Sequence, residues 1–344
     1  MKVVLIFRKR NPIFFSIERV FGIILSPMEA LTDIKSIRLP FNGIHARNIL
    51  HLWKFKNRSG KQTLFHVTGD VHYTVFAFPR KRTLLTIHDC VFMENHSGFK
   101  KWLIKKLLLD WPLMHVKYVT TISEKTKNEI IRLTSYPANR IHVIPNPVSP
   151  EIYFSDRPFN RQKPRLLFLG STTNKNLDRV IPALKGISCL LHIVGKPTPA
   201  QLTELNASGI DHVIEQGITD QELADRYAAS DIILFPTLYE GFGLPIIEGF
   251  KAGRAVLTSN LDPMKQVAAE AACLVDPFDI SSIHEGLLKL IDDDQYRAQL
   301  IQKGFGVVKN YSPEHIAEQY FHLYKKVYKD SYDELTEPAL NKST

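Results

Sequence analysis

The sequence predicts an α/β protein of two domains, each built on a parallel sheet. Three observations carry this expectation. Short apolar runs alternate with stretches long enough for helices, which is the pattern of repeated βαβ units. At 344 residues the chain is too long for one small core. A polar, proline-rich stretch at residues 145–164 divides it near the middle and reads as a connection.

Lys2–Phe7 is the opening strand, and Thr63–Val67 and Thr83–Ile87 are two more short apolar runs. The third runs straight into His88 and Asp89, and residues at the carboxyl end of a parallel strand face the crevice where ligands bind. A histidine there can equally cap the strand by bonding to backbone. Ser123 is a good N-cap for the helix that follows it, and its role reads as structural.

In the second half, RLLFLG (165–170) opens a new sheet and Asn174-Lys175-Asn176-Leu177 leads into a helix. LLHIVG (190–195) and VIEQGIT (213–219) are further strands, and a helix over 222–230 follows. AVLTSN (255–260) is the next strand, and residues 312–328 form a terminal helical pattern. The tail after Asp330 is polar and expected to be disordered.

Residues 231–253, DIILFPTLYEGFGLPIIEGFKAG, organise the whole. Ile232–Phe235 is a buried-strand run, and a glycine loop then leads into a helix with Pro245 in its first turn and Gly253 just past its end. A helix N-terminus after a glycine loop suits an anion, because unpaired N–H groups and the positive dipole end point the same way. Glu240 and Glu248 flank that place. Acids beside an anion make sense when they accept from hydroxyls, as a sugar and a ribose would offer. Taken alone, the same residues also fit an ordinary strand–loop–helix with two solvated glutamates.

The stretch from Glu240 to Glu248 resembles the Glu-x7-Glu motif of the large retaining GT-B glycosyltransferase family, family 4 or group 1. LLTIHD, TISE, VIPNPV, the GxxxxKN pattern ending at Lys175 and Asn176, and CLVDPFD resemble further segments of that family. The resemblance covers most of 64–328. It implies two Rossmann-like domains facing a central cleft, with 1–158 binding an acceptor and 159–311 a nucleotide-sugar. A helix at 312–330 would cross back to the first domain, with a disordered tail at 331–344.

By the same resemblance Glu240 lies by the donor sugar and Glu248 binds the ribose. The backbone of Gly241, Phe242, Gly243 and Leu244 holds the diphosphate, Lys175 contacts it, and His88 reaches the donor from the first domain. The family retains anomeric configuration by front-face displacement, which needs no enzymic nucleophile. The chain departs from the family pattern in three places. No glycine-rich loop follows the first strand, Ser171 stands where many members have Arg, and Lys265-Gln266-Val267 replaces Pro-Glu-Val.

Other readings narrow the class. His66, Asp70, His72 and His88 have metal-ligand chemistry without metal-ligand spacing, and the only Asp-x-Asp, at 292–294, lies on a late polar helix. We therefore expect no metal and no cofactor beyond the nucleotide-sugar co-substrate. Cys90, Cys189 and Cys273 are isolated, which fits a reducing cytoplasm. The apolar run at 20–28 falls far short of the roughly 20 residues a bilayer requires, and the basic start reads as mature sequence.

Residues 1–150 hold 24 Lys/Arg against 9 Asp/Glu, a surplus of 15 in a chain whose net charge is +9, so the remainder carries −6. Such asymmetry suggests an anionic partner for the first half. FKKWLIKKLLLDW (99–111) is a basic amphipathic stretch. Lys100, Lys101, Lys105 and Lys106 fall on one side, Leu103, Ile104, Leu107 and Leu108 are available to the other, and Trp102 sits at the interface. A domain helix with a solvated lysine face is the alternative.

The expected function is transfer of a hexose from a nucleotide-diphosphate sugar to a glycan or lipid-linked glycan, in cell-surface polysaccharide assembly. The expected location is the cytoplasm, peripheral on the inner face of its membrane, with no nucleic-acid partner. The alternatives are a nucleotide-sugar epimerase on the same fold, or a catalytically silent partner subunit.

Overall fold

The computed structural model describes residues 1–9, 16–93 and 97–336. The chain divides into two compact units, Met1–Pro147 with Pro313–Thr344, and Val148–Ser312. The division falls at Pro147, ahead of the boundary expected after residue 158, so most of the proline-rich stretch belongs to the second unit.

In the first unit the described strands are β1 (Lys2–Phe7), β2 (Asp33–Arg38), β3 (Thr63–Val67), β4 (Thr83–Ile87), β5 (Tyr118–Thr121) and β6 (Ile141–Val143). They form one parallel sheet in the order β2-β1-β3-β4-β5-β6. Side chains alternate across a strand. Val4 and Ile6 of β1 therefore enter one core, with Phe65, Leu85 and Val119, while Val3 and Leu5 enter another.

That second core is closed by helices α1 (Ser16–Leu31) and, in chain order the last, α13 (Pro313–Thr336). Phe21, Ile24 and Met28 of α1 meet Ile316, Tyr320 and Tyr324 of α13 there. Helix α13 is described as far as Thr336, where the sequence suggested a disordered tail from 331. The rest of that predicted tail, from residue 337, lies outside the described residues, as does the part of the glycine-free segment at 10–15.

Helices α2 (Ala46–Arg58), α3 (Gly98–Lys105), α4 (Trp111–His115) and α5 (Glu124–Thr134) complete this unit. Ser123 caps α5 by accepting from the Thr126 N–H at 3.2 Å. The stretch 99–111 is not one helix. A π-helical turn, Lys106–Asp110, interrupts it and rotates the face presented by the residues beyond. Leu109 is consequently the fully buried residue, and Leu103 is exposed.

In the second unit the described strands are β7 (Arg165–Leu169), β8 (Leu190–Val194), β9 (Asp211–Glu215), β10 (Ile232–Phe235), β11 (Ala255–Ser259) and β12 (Cys273–Val275). The order is β12-β11-β10-β7-β8-β9, again parallel throughout. Helices α6 (Leu177–Ala183), α7 (Pro199–Ser208), α8 (Asp220–Ala229), α9 (Leu244–Lys251), α10 (Met264–Ala268), α11 (Ile280–Asp292) and α12 (Asp294–Val308) alternate with the strands. Strand β9 ends at Glu215, earlier than the expected 213–219. Gly217 turns the chain at φ +65°, and Thr219 then starts α8 with a capping box to Glu222.

Candidate active site

Three loops at the carboxyl ends of β7, β10 and β12 converge in the second unit, where an open parallel sheet places its ligands. β10 is buried along its length, so its end is a fixed point. Its loop reaches Gly243, whose φ of +108° is open to glycine, and α9 begins at the next residue. Pro245 lies in the first turn of α9, whose leading N–H groups have no partner within the helix. Phe242 is buried and lies edge-on to the Tyr311 ring at 5.7 Å.

Lys175 and Glu240 meet here. Lys175 ends a short 3-10 turn after β7, and its Nζ lies 2.6 Å from Glu240 Oε1. The lysine stem rests on Gly170, at φ +87°, where a Cβ would come within 3.0 Å of it. Its ammonium stands 4.9 Å over the Phe235 ring. The same Glu240 oxygen lies 2.9 Å from the Thr237 hydroxyl. Asn174 ties the two loops together, donating to Tyr239 O at 3.0 Å while its own carbonyl accepts from Leu238 N–H at 2.7 Å.

Glu248 lies about one turn into α9 and is only 4 % exposed. Its Oε2 accepts a hydrogen bond from the fully buried Tyr227 hydroxyl at 2.6 Å. A buried carboxylate is retained where hydrogen bonds replace its water. Tyr227 and Asn174 were not singled out from sequence, because one reads as a core position of α8 and the other as a helix lead-in. Ser171 follows Gly170 directly, and Lys175 is the cation placed against Glu240.

His88 stands at the end of β4 in the first unit. Its Nε2 donates to the Thr68 carbonyl at 2.8 Å, so a neutral ring keeps its proton there and presents Nδ1 as an acceptor. Gly69, at φ +141°, lets the ring approach the backbone closely, since a Cβ would come within 2.7 Å of it. Burial lowers the pKa of His88, against the opposing pull of the Thr68 carbonyl and of Asp70 and Asp89. A cavity of about 270 Å³ is lined by His88, Asp70, His72, Asp89 and Leu108. A second, of about 380 Å³, shares Asp70 and Leu108 and extends past Arg8, Phe41 and Tyr73.

The four residues with metal-ligand chemistry are separately engaged. His66 bonds to Tyr324 and Thr86, His72 donates to the Leu108 carbonyl at 2.6 Å, and Asp70 pairs with Arg8. Among the described residues no three His, Cys, Asp or Glu side chains gather as a metal-holding group.

The basic stretch presents aromatic rings outward. Phe99 is 75 % exposed and stacks on Trp102, 50 % exposed, at 5.5 Å, with Lys100 and Lys101 beside them. Lys105 and Lys106 instead both bind Asp110 at 2.8 Å, which ties them to the π turn. Among the described residues no helix is long and apolar enough to cross a membrane.

Two Rossmann-like units, each a parallel six-stranded sheet with helices, define the GT-B class of α/β protein. The profile "Glycosyltransferase Family 4" matches residues 3–152 and the profile "Glycosyl transferases group 1" matches 150–306. The chain belongs to this group 1 / family 4 glycosyltransferase family.

Among similar proteins is the O-antigen chain mannosyltransferase B of Escherichia coli, 27 % identical over 281 residues, 74 % of this chain and 73 % of the relative. The MMP alpha-(1->4)-mannosyltransferase of Mycolicibacterium hassiacum is 28 % identical over 293 residues, covering 75 % and 68 %. The solved structure of HepE from Anabaena, in complex with UDP and glucose, superposes with a TM-score of 0.73 at 14 % identity, covering 95 % of this chain and all of that one.

Proposed function

We propose that this protein transfers a hexose from a nucleotide-diphosphate sugar to a glycan or lipid-linked glycan acceptor, with retention of anomeric configuration. The contact of Lys175 with Glu240 beside the α9 N-terminus carries the reading. It sets one cation and a row of N–H groups where a diphosphate would sit, and one carboxylate where sugar hydroxyls would donate. The mannosyltransferase relatives support a hexose and make mannose the first sugar to test.

In the reaction the bond between sugar C1 and the diphosphate oxygen breaks, and a bond from C1 to the acceptor oxygen forms on the same face. The acceptor proton passes to the departing phosphate, and a nucleoside diphosphate leaves. Lys175 and the amides of Gly241–Leu244 stabilise the charge that grows on the diphosphate. Glu240 faces the positive charge that grows on the sugar, and Glu248 holds the ribose. His88, accepting through Nδ1, takes a hydrogen bond from a ligand hydroxyl. No step requires a metal.

The outward Phe99, Trp102, Lys100 and Lys101 support a peripheral position on an anionic membrane face, where a lipid-linked acceptor resides. The cytoplasmic, inner-face location is part of this proposal.

A thermal-shift panel of UDP, GDP, ADP and their sugars tests the reading, because a bound ligand raises stability by mass action. NMR of the product formed from the stabilising sugar then reads the anomeric outcome. An inverted product removes retention, solvent deuterium at sugar carbon 2 without acceptor indicates an epimerase, and a panel without any shift overturns the donor site.

A further inference from the structure

Asn176 follows Lys175 and is 1 % exposed, at the left-handed φ of +71° and ψ of +29°. Glycine reaches that conformation without strain, and asparagine is the next most tolerant residue. What asparagine adds is its amide. Nδ2 donates to the Pro236 carbonyl at 2.9 Å and to the Pro277 carbonyl at 2.7 Å. Arg179 donates to Oδ1 at 3.0 Å, so donors and acceptors around the group fix which end of the amide is which. The backbone carbonyl of Asn176 also accepts from Arg179 N–H at 3.1 Å and starts α6.

Each of these partners stands on a different segment. Pro236 opens the loop that carries Glu240 and Gly243, Pro277 lies in the loop after β12, and Asn176 itself ends the loop that carries Lys175. Proline lacks an N–H but keeps its carbonyl as an acceptor, and here both carbonyls are satisfied by the Asn176 amide from another segment. One buried amide therefore joins three loops with both of its N–H bonds, at the residue next to the lysine of the Lys175–Glu240 contact. The first two loops are tied further by Asn174, which donates to Tyr239 O and accepts through its carbonyl from Leu238 N–H and the Thr237 hydroxyl.

We propose that Asn176 is a positioning residue for donor binding and transfer, holding the Lys175 loop, the Glu240 loop and the Pro277 loop in one register through the two N–H bonds of its side chain. It touches no substrate. The proposal rests on the reading of this corner as a nucleotide-sugar site. The family resemblance of the GxxxxKN pattern assigned a role to the lysine and none to the asparagine beside it.

Asn176→Gly is the decisive variant, since it accepts the left-handed backbone and removes only the amide. Asn176→Asp keeps the shape but aims an acceptor at two carbonyls. Both are compared with wild type by hydrogen exchange of 236–243 and 276–279 without ligand, by calorimetry with UDP and GDP, and by steady-state kinetics.

We expect faster exchange in both segments and nucleotide binding weakened about tenfold. A kcat about 10²-fold lower is expected, the scale of loss from displacing reacting groups by an ångström. Asn176→Asp should be at least as impaired as Asn176→Gly. An Asn176→Gly variant with wild-type loop exchange, nucleotide binding and kcat would overturn the proposal and leave Asn176 a backbone residue only. A wild type that binds neither nucleotide while Asn176→Gly still loosens both segments would instead sink the donor-site reading and, with it, the link to catalysis.

Discussion

Lys175 Nζ and Glu240 Oε1 lie 2.6 Å apart, on loops that leave two neighbouring strands of the same sheet. Both side chains are largely withdrawn from solvent, so each sets the field in which the other works. Lys175→Ala should raise KM for donor and lower kcat, because the diphosphate is bound first and gains charge later. Glu240→Ala should lower kcat by about 10²-fold, the scale of losing one electrostatic group in a catalytic site. Because the two touch, the double variant should lose less than the product of the single losses. An unchanged kcat in Glu240→Ala would remove that residue from the catalytic assignment.

Charge on the leaving diphosphate is assigned to Lys175 and the α9 amides. EDTA should therefore leave the transfer rate unchanged. Complete loss on chelation, restored by manganese, would show that a cation takes part and that the assignment to Lys175 is incomplete.

The π turn divides the work of four lysines. Lys105 and Lys106 are held by Asp110, whose carboxyl, despite its own partial burial, they keep below the usual carboxylate range. Lys100 and Lys101 stand beside the exposed Phe99 and Trp102. A lysine near an acidic membrane is worth about 1 kcal/mol, weakened by salt. Changing Lys100 and Lys101 to Ser should abolish flotation with anionic vesicles at low salt, and changing Lys105 and Lys106 should have the smaller effect. A wild type that ignores such vesicles at low salt rules out the membrane reading.

His66 gives the fold a pH signature. Burial, and then the nearby His88, lower its pKa from 6.5 to about 3, while Tyr324 of α13 and Thr86 of β4 hold its two ring nitrogens. The folded pKa is depressed, so the unfolded chain binds the extra proton first as pH falls. The contribution of His66 is whole above about pH 6.5 and declines between there and about 3, by about 1.4 kcal/mol for each pH unit in the window. His66→Gln should flatten the fall in melting temperature between pH 6.5 and 4. A slope identical to wild type would show that other groups govern it.

Much of this was legible in the sequence. Strands buried on both faces are continuous apolar runs, and β1, β3, β4 and β10 were predicted to the residue. β2, an exposed edge strand reading DIKSIR, lacks that signal and was missed. The π turn escaped because helical periodicity registers only its flanks. At the site, the charged residues and the glycine loop stood out, since few structural reasons put them together. Tyr227 and Asn174 did not, because a buried tyrosine and a loop asparagine acquire their meaning from partners far along the chain.

The Tyr227–Glu248 bond yields the sharpest separation of binding from chemistry. Glu248 is assigned to the ribose, far from the bond that breaks, so its contact is about equal in ground and transition states. Loss of such a contact raises KM and spares kcat. Tyr227→Phe removes one hydroxyl donor from a carboxylate that stays buried, and a hydrogen bond to a charged group is worth about 1.5–3 kcal/mol. Part of that loss falls on stability and part on the orientation of the carboxylate toward the ribose. Tyr227→Phe should therefore lower the melting temperature and raise donor KM about tenfold at most, with kcat within about twofold of wild type. Glu248→Ala should raise KM further, again with little change in kcat. Measuring kcat and donor KM beside the melting temperature distinguishes this from a packing role, in which both variants lose stability while activity per folded molecule stays at the wild-type value. A large fall in kcat in Glu248→Ala would place this carboxylate at the reacting sugar instead, and exchange its assignment with that of Glu240.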